Sequence, residues 1–197
     1  MELCIATGNP HKVEELQAIF SRHTLRTPAE LGIEFEYEET GSSFFANAYG
    51  KAAALSAQTN LPVIADDSGL SLPALGGEPG VYSARYGSKV YGRLLEAPER
   101  NRYLLSRLEG IDERDAFFVC CMVAILEQYR FFTVQETLHG TIIDRPAGKG
   151  GFGYDPIFYL PRRECTVAQL PEGEKNRISH RGKAGAQLSR LLDAADT

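Results

Sequence analysis

The sequence lacks any apolar run long enough to cross a membrane, because no window approaches the roughly 20 apolar residues that a spanning helix needs. It also lacks the basic stretch followed by an apolar one that marks a secretory leader, since the chain begins MELCIA. Internal repeats and low-complexity tracts are absent as well. These absences predict a cytoplasmic protein without a membrane partner.

The basic residues do not form an uninterrupted run in the chain. The basic residues are spread along the sequence, and the formal net charge is -5 at pH 7. A broad nucleic-acid-binding surface needs a basic patch, so we expect no nucleic-acid partner. A small anionic ligand remains compatible, because a few lysines and arginines that converge on one site dominate the potential there.

Cysteine is scarce, and its spacing does not suggest a metal site. The 4 cysteines include no C-x-x-C pair. Cys120 and Cys121 are neighbours in a strand-like run, and neighbouring strand residues point to opposite faces, so these two are poorly placed to chelate together. We expect all of the cysteines to be reduced core residues.

What is present is an ordinary globular composition, with 43% hydrophobic and 24% charged residues in 197. This composition and length predict a single domain over residues 1–197, with room for two lobes. Strand and helix patterns alternate in the first half, and strand patterns run together in the second. We therefore predict an α/β fold, with a mixed sheet on which helices pack.

Individual elements follow from hydrophobic spacing. Residues 2–6 predict a strand, and the spacing after the turn TGNP predicts a helix. A second helix is predicted from Ser43, its N-cap, to about Asn60. Residues 61–67 predict a buried strand that opens into a loop. The other predicted elements are an irregular connection at 73–80, a helix at 98–108, an antiparallel strand pair at 117–126 and 131–138, a strand at 156–160 and a helix at 182–195.

The stretch TGNPHK at 7–12 stands between the first strand and the first helix. Backbone N–H groups of such a turn form an anion site, and Lys12 would add a positive charge. The alternative is a plain turn in which Asn9 adopts an unusual backbone angle and Pro10 starts the helix. The loop alone leaves both interpretations open.

A second glycine-rich stretch, GKGGFG at 148–153, matches the G-x-G-x-x-G pattern of dinucleotide-binding folds. That pattern needs a strand before it and a helix after it. Here Arg145, Pro146 and Ala147 precede the glycines, and Asp155 and a strand-like run follow them. The context therefore excludes a nicotinamide-binding fold, and a Walker-type phosphate loop is absent from the sequence.

Two pairs of carboxylates suggest a metal site. Glu38 and Glu39 precede a turn, and Asp66 and Asp67 end the buried strand. Because neighbouring strand residues face opposite ways, at most one aspartate faces a given site. Carboxylates suit Mg²⁺, which proteins usually hold by one or two carboxylates together with substrate phosphates. The alternative is that an aspartate caps a turn with Ser68.

Cations gather near the C-terminus, in EKNRISHRGKA. A helix N-terminus repels cations, so a bound anion would explain this group better than the helix dipole does. The alternative is a solvated start to the last helix. The group comprises Lys175, Arg177, His180, Arg181 and Lys183.

Taken together, six motifs resemble those of the inosine triphosphate pyrophosphatase family, in order and with compatible spacing. They are TGNPHK at 7–12, EETGSSFFANAYGKA at 38–52, ADDSGL at 65–70, GVYSARY at 80–86, GGFGYDPIF at 150–158 and ISHRGKA at 178–184. The resemblance implies Mg²⁺-dependent hydrolysis of deaminated purine nucleoside triphosphates (ITP, dITP and XTP) to the monophosphate and pyrophosphate, which cleans the nucleotide pool. It also implies an elongated α/β fold with two lobes framing a cleft, and a homodimer.

The resemblance assigns roles to residues at matching positions. Asp67 corresponds to the proton acceptor, Glu38 and Asp67 to the Mg²⁺ ligands, and Ser68 to a substrate contact. The triphosphate cradle would comprise Thr7, Gly8, Asn9, His11 and Lys12, with added charge from Lys51. The nucleobase and sugar side would comprise Phe152, Gly153, Tyr154, Asp155, Lys175, His180 and Arg181.

One position departs from the family pattern. Many relatives have Phe-x-Glu-Asn-Ala, whereas this chain has Ala46 in place of the glutamate. Our hypothesis is that Glu38, Asp67 and the substrate phosphates suffice for the metal. Two alternatives remain open, a pyrophosphatase of the same fold with another nucleotide preference and a nucleotide-binding protein without catalysis. A single-stranded nucleic-acid module is disfavoured by the acidic balance.

Overall fold

The computed structural model describes residues 1–195 and confirms an α/β fold built on a mixed sheet of seven strands. The strands are β1 Glu2–Ile5, β2 Thr24–Arg26, β3 Val63–Ser71, β4 Asp115–Glu127, β5 Arg130–Ile142, β6 Phe158–Leu160 and β7 Cys165–Thr166. The helices are α1 Pro10–Ile19, α2 Phe44–Ser56, α3 Ser88–Tyr91, α4 Ala97–Arg107, α5 Glu172–Ile178 and α6 His180–Ala195. No helix in residues 1–195 is both long and apolar enough to cross a membrane.

The strand order in the sheet is β2-β1-β3-β4-β5-β6-β7. Strand β1 pairs in parallel with both β2 and β3, so that Cys4 lies opposite Arg26 on one side and Val63 on the other. Strand β6 pairs antiparallel with β5 and β7. The parallel half follows the alternating strand and helix patterns, and the antiparallel half follows the run of strand patterns.

Contacts divide the chain into two compact units. Of the described residues, unit 1 comprises 1–68, 120–136 and 179–195, and unit 2 comprises 69–119 and 137–178. Unit 1 holds two apolar clusters, because successive residues of β1 face opposite sides of the sheet: Leu3 and Ile5 belong to one cluster, and Cys4 and Ala6 to the other. Unit 2 holds one cluster, built around residues such as Leu70, Leu104 and Phe158.

Helix α2 begins as predicted but ends early. The Ser43 hydroxyl oxygen accepts a hydrogen bond from the Ala46 N–H at 3.1 Å, which confirms Ser43 as the N-cap. Position 50, in the interior of the helix, is occupied by a glycine because a Cβ there would collide with the hydroxyl of Tyr37. The helix ends at Ser56 instead of near Asn60, since its last fully buried apolar side chain is that of Leu55.

Strand β3 is longer than predicted. The loop expected after Asp67 is wrong, because the strand continues to Ser71. Leu70 is fully buried, and its N–H donates to the hydroxyl oxygen of Ser83 at 2.8 Å. Both contacts hold the chain extended past Gly69, so Asp66 and Asp67 lie inside a strand.

The other predicted elements and the state of the cysteines are confirmed with small changes. Residues 73–80 are irregular as predicted, and Gly76, Gly77 and Gly80 adopt positive φ there. The cysteines are free, and Cys165 alone among them is half-buried instead of buried. Strands β2 and β7 and helix α3 were not predicted, because segments of two to four residues carry no usable periodicity.

Candidate active site

The turn between β1 and α1 is held by its own side chains. The Asn9 Oδ1 atom accepts hydrogen bonds from the N–H groups of His11 at 3.0 Å and Lys12 at 3.4 Å, and so caps α1. The Asn9 N–H donates to Thr7 Oγ1 at 3.2 Å. The turn therefore presents Gly8, which is exposed, at a helix N-terminus, where the helix dipole favours an anion.

Lys12 pairs with Asp66, which is buried. The Lys12 Nζ atom lies 3.0 Å from Asp66 Oδ2. Burial by itself would raise the pKa of Asp66, but the charges of Lys12, Arg181 and Lys51 outweigh burial and hold that pKa well below its usual range. Asp66 is therefore a fixed anion that keeps the Lys12 ammonium close to the turn.

Arg181 is buried among carboxylates of unit 1. Its guanidinium donates to Asp66 Oδ2 at 3.1 Å, to Glu15 Oε2 at 2.7 Å and to Ser68 Oγ at 2.7 Å. Burial would lower the pKa of Arg181, but Asp66, Cys120 and Glu15 raise it above its usual value. The family motif assigns Arg181 to the nucleobase side, whereas these contacts join it to Asp66 and Ser68 of β3 and to Glu15 of α1.

Asp67 differs from Asp66 because neutral groups donate to it. The Asn47 Nδ2 atom donates to Asp67 Oδ2 at 2.8 Å, and the Ser68 N–H donates to Asp67 Oδ1 at 2.8 Å. Burial and then the charge of Glu39 raise the pKa of Asp67 above its usual value, despite the Asn47 hydrogen bond. The two aspartates have different partners, as the alternation of a strand predicts.

Lys51 lies near both aspartates and forms an ion pair with Glu39. Burial would lower the pKa of Lys51, but the charges of Asp66 and Glu39 raise it. Glu38, the metal ligand implied by the family motif, is exposed, and its neighbour Glu39 is half-buried. We call the whole group the carboxylate cluster: Lys12, Glu15, Glu39, Asn47, Lys51, Asp66, Asp67 and Arg181.

The carboxylate cluster has too few ligands to surround a metal ion by itself, but its carboxylates are of the kind that Mg²⁺ prefers. Among residues 1–195, no group of three or more His, Cys, Asp and Glu side chains could hold a metal ion. The charge of Glu39 acts on the carboxylate of Asp67, so two carboxylates, which are hard oxygen ligands, lie close enough to interact. Mg²⁺ usually takes only one or two carboxylates and completes its shell with waters and substrate phosphates. The donor set therefore fits Mg²⁺ bound together with a phosphate ligand.

A second polar group lies in unit 2, around Phe152. The Lys175 Nζ atom is 2.9 Å from Asp155 Oδ2 and 4.7 Å from the centre of the Phe152 ring. The Phe152 N–H donates to Asp155 Oδ2 at 2.8 Å. We call these three residues the Phe152 cluster. Asp155 and Lys175 are both buried, so the cation is held at the face of the aromatic ring.

Gly153 and Tyr154 complete this segment without joining the Phe152 cluster. Gly153 has a positive φ, and its carbonyl oxygen accepts from Asn101 Nδ2 at 3.1 Å. Tyr154 is buried, and its hydroxyl donates to the carbonyl oxygen of Ser83 at 2.9 Å. Burial raises the pKa of this phenol. Tyr154 therefore anchors the segment in the core of unit 2.

The C-terminal cations are divided between the two units. Lys175 belongs to α5 in unit 2, whereas His180 and Arg181 begin α6 in unit 1. The Ser179 Oγ atom accepts from the Gly182 N–H at 2.9 Å and caps α6. A solvated start to the last helix is wrong for His180 and Arg181, because both side chains are buried.

An open pocket of about 590 Å³ adjoins the first turn in unit 1. Of the predicted site residues, its lining includes Thr7 and Gly8. Apolar side chains such as Val13 and Phe35 line it, and Glu14 and Glu34 contribute carboxylates. Negative charge disfavours a phosphate next to Glu14 and Glu34, whereas the Thr7 and Gly8 side of the pocket adjoins the N-terminus of α1.

Asn47 and Glu15 are site residues that the sequence did not single out. Each is buried, and each reaches the site through a contact far away in the chain: Asn47 to Asp67, and Glu15 to Arg181. A buried polar residue on a helix carries no sequence signal for its partner. In the sequence, Glu15 directly precedes Leu16, which lies on the apolar face of α1, and this is the one indication that the Glu15 carboxylate is buried.

Comparison with known proteins matches nearly the full chain. The Ham1 family profile matches residues 3–191. The chain is 47% identical over 192 residues to the dITP/XTP pyrophosphatase of Treponema denticola, with 98% of each chain covered. It is 44% identical over 196 residues to the dITP/XTP pyrophosphatase of Legionella pneumophila strain Paris, with 97% of this chain and 98% of that one covered.

Solved structures give the same result. The chain is similar to the Ham1 protein of Staphylococcus aureus, with a TM-score of 0.88 and 39% sequence identity, over 99% of this chain and 100% of that one. A Ham1 protein of Coxiella burnetii also matches with a TM-score of 0.88, at 38% identity and with 98% and 99% of the two chains covered. The matched residues include both the carboxylate cluster and the Phe152 cluster.

Proposed function

Because the chain belongs to the Ham1 family, we propose that it is a nucleoside triphosphate pyrophosphatase that hydrolyses dITP, XTP and ITP to the monophosphate and pyrophosphate. The observation that carries the proposal is the position of Asp67 among the cations Lys12 and Lys51, in a chain 47% identical to a dITP/XTP pyrophosphatase. In this role the protein would remove deaminated purine nucleotides from the pool.

Asp67 is the proposed proton acceptor. Hydrolysis between the α- and β-phosphates requires a water to lose a proton as it attacks. Asp66 is a poor base, because Lys12 and Arg181 hold its pKa low, whereas burial and the charge of Glu39 raise the pKa of Asp67 above its usual value. Asn47 and the Ser68 N–H each donate to one oxygen of Asp67, which leaves further lone pairs for the water and a cation.

Lys12 and Lys51 are the proposed ligands of the triphosphate. Each now pairs with a carboxylate, Lys12 with Asp66 and Lys51 with Glu39. A triphosphate beside Thr7, Gly8, Asn9 and His11 would compete for the two ammonium groups. Their charges would then stabilise the pyrophosphate as it departs.

Mg²⁺ is the proposed cofactor, held by Asp67 and by a carboxylate of the segment that carries Glu38 and Glu39. When bound, the ion would polarise the phosphate oxygens and favour deprotonation of water. Support comes from the oxygen donor set, which has the few carboxylates that Mg²⁺ takes beside substrate phosphates. Ser68, which accepts from Arg181, keeps its own hydroxyl proton available for a substrate oxygen.

The Phe152 cluster is the proposed site of base recognition. An aromatic ring offers a face for stacking, and the Asp155–Lys175 pair offers a polar edge next to it. Discrimination arises when a base lacking the right donor or acceptor leaves a buried polar group unpaired. Gly153 and Tyr154 would fix this segment, and His180 would contribute from α6.

We further propose that the enzyme is a cytoplasmic homodimer, as the family resemblance implies. Light scattering coupled to size-exclusion chromatography measures the assembly directly. A mass of twice 21.7 kDa supports the dimer, and a mass of 21.7 kDa contradicts it.

The test of the function is pyrophosphate release with Mg²⁺ from ITP, dITP, XTP, ATP, GTP and dTTP in parallel, for the wild type and the Asp67→Asn variant. We expect fast release from ITP, dITP and XTP, and its loss in the variant. Equal rates on all six nucleotides would overturn the base preference. Triphosphate binding without release from any nucleotide would move the protein to the class of binding proteins, which the alanine at position 46 keeps open.

A further inference from the structure

Asn47 joins two segments of unit 1 through a single buried side chain. Its side-chain amide is fully buried, with an exposed fraction of 0%. The Gly41 N–H donates to Asn47 Oδ1 at 2.7 Å, and Asn47 Nδ2 donates to Asp67 Oδ2 at 2.8 Å. One side chain therefore connects β3 to the segment that precedes α2.

The orientation of the amide follows from its partners. The Gly41 N–H can only donate, so the oxygen of Asn47 must face it, and the NH₂ group must then face Asp67. A Cβ at Gly41 would lie 2.6 Å from Asn47 Oδ1, so the backbone approaches as closely as it can. The geometry therefore requires an amide, with its acceptor end toward Gly41 and its donor end toward Asp67.

The segment that Asn47 holds is the one that carries Glu38 and Glu39. Helix α2 contacts this segment at two points, because Lys51, one turn after Asn47, pairs with Glu39. The hydrogen bond to Gly41 fixes the end of the segment, and the hydrogen bond to Asp67 fixes the other carboxylate. The two bonds together set the spacing between the carboxylate of Asp67 and those of the segment.

We propose that Asn47 is a positioning residue that assembles the cation site by tying Asp67 to the segment of residues 38–41. The inference rests on the proposed function for the identity of the cation, and it concerns a residue outside the set of ligands. Replacing a residue that hydrogen-bonds to a metal ligand without contacting the metal typically lowers metal affinity or activity by about 10- to 100-fold. We expect a loss in that range when the amide is removed.

The experiment uses Mn²⁺ together with inorganic phosphate as the probe, and binding of Mn²⁺ to the protein is measured by electron paramagnetic resonance. Asn47→Leu removes both hydrogen bonds and keeps a branched side chain with four heavy atoms. Asn101→Leu is the matched control, since Asn101 is also buried and its amide donates to a backbone carbonyl, but in unit 2. We expect Mn²⁺ affinity to fall about 10- to 100-fold in Asn47→Leu and to stay at the wild-type value in Asn101→Leu.

A second variant protects the test against misfolding. Gly41→Ala pushes on Asn47 Oδ1 from the other side, so it should weaken Mn²⁺ binding in the same direction even if Asn47→Leu does not fold. Wild-type Mn²⁺ affinity in a folded Asn47→Leu or Gly41→Ala protein would overturn the inference, as would a wild type that binds no Mn²⁺. Failure of the proposed function is separate, because it would be seen as no pyrophosphate release from a wild type that still binds Mn²⁺.

Discussion

The carboxylate cluster of unit 1 and the Phe152 cluster of unit 2 both contain buried ion pairs, but they differ in the partners of their carboxylates. In the Phe152 cluster one carboxylate meets one ammonium beside an aromatic ring. In the carboxylate cluster each cation also meets a carboxylate, yet Asp67 accepts hydrogen bonds from neutral donors. The first arrangement suits recognition, whereas the second retains a carboxylate that can take a proton or a cation.

The contrast between Asp66 and Asp67 explains how neighbouring aspartates acquire different roles. Asp66 faces Lys12 and Arg181, whose charges lower its pKa. Asp67 faces the neutral Asn47, and burial together with the charge of Glu39 raises its pKa. Pairs of titratable groups whose surroundings separate their pKa values commonly divide the roles of a site. The difference is set by which face of β3 each side chain occupies.

The largest expected effect is that of Asp67→Asn on turnover. The amide cannot accept the proton of the attacking water, so we expect kcat to fall by about 10³-fold, within the range found for general bases. The thermal midpoint should fall as well, because the amide has one acceptor oxygen and its NH₂ group would face either the Asn47 NH₂ or the Ser68 N–H. Steady-state kinetics on XTP and differential scanning calorimetry measure the two quantities.

The matched control for that variant is Asp155→Asn in the Phe152 cluster. Its effect should fall on KM and on the choice of nucleotide more than on kcat, since Asp155 is assigned to base recognition. A loss of kcat in Asp155→Asn as large as that in Asp67→Asn would break the distinction between the clusters.

The next effect in size is on stability, from Arg181→Met. Removing this guanidinium takes from the buried Asp66 and Glu15 a cation that both of them contact, so we expect about 3 kcal/mol of lost unfolding free energy. Arg22→Met is the control, because the Arg22 side chain is 78% exposed and pairs with Asp193 at the surface. Urea unfolding should show less than about 1 kcal/mol for the control. Equal losses in the two variants would contradict a stabilising role for the buried network.

Asp66 gives a pH-dependent effect. Its folded-state pKa lies below the unfolded value of about 3.9, so its stabilisation is fully present above that value and is lost as the pH falls through the folded-state pKa. Asp66→Asn should therefore be less stable than the wild type by about 2 kcal/mol at pH 7, the contribution of hydrogen bonds to a charged group. Urea unfolding from pH 7 to pH 3 should show this difference shrinking.

The control for the pH series is Asp112→Asn, since Asp112 is exposed. It should show little difference from the wild type at either pH. A gap between wild type and Asp66→Asn that grows as the pH falls would have the wrong sign and would contradict the assignment of Asp66 as a fixed anion.

The smallest expected effect is that of Ala46→Glu. Position 46 is the third residue of α2 after the Ser43 cap, so a glutamate there could reach back to the Ser43 N–H and form a capping box. We expect a gain of about 0.5 to 1 kcal/mol in stability, with little change in Mg²⁺ demand. Ala46→Gln keeps the hydrogen bond without the charge. A sharp fall in Mg²⁺ demand with higher turnover in Ala46→Glu would show that the missing carboxylate matters for the metal.

The sequence predicted the parts of the site that depend on local order. The TGNP turn lies between a strand and a helix, Ser43 caps α2, and the paired aspartates occupy a strand, and each of these features follows from neighbouring residues. The cap that Asn9 gives α1 was not predicted, and its backbone is extended, without the unusual angle of the plain-turn alternative. The class of fold follows from the same local patterns, since alternating strands and helices favour parallel pairing.

The parts that the sequence could not predict depend on distant contacts. Strand β3 passes Gly69 because the hydroxyl of Ser83, in a later turn, accepts from Leu70. Asn47 meets Asp67, and Glu15 meets Arg181, through packing that no local pattern encodes. Hydrophobic spacing determines which face of an element is buried, but it does not determine which polar partner a buried amide or carboxylate meets there.

The measurement that tests the account most directly is the ratio of kcat/KM for XTP to kcat/KM for ATP, in Lys51→Met from the carboxylate cluster and Asp155→Asn from the Phe152 cluster. We predict that Lys51→Met lowers both values by the same factor and leaves the ratio unchanged. Asp155→Asn should lower the ratio by at least about tenfold, because binding ATP then no longer leaves the buried carboxylate at position 155 unpaired. A changed ratio in Lys51→Met, or an unchanged one in Asp155→Asn, would contradict the division of hydrolysis and base recognition between the two clusters.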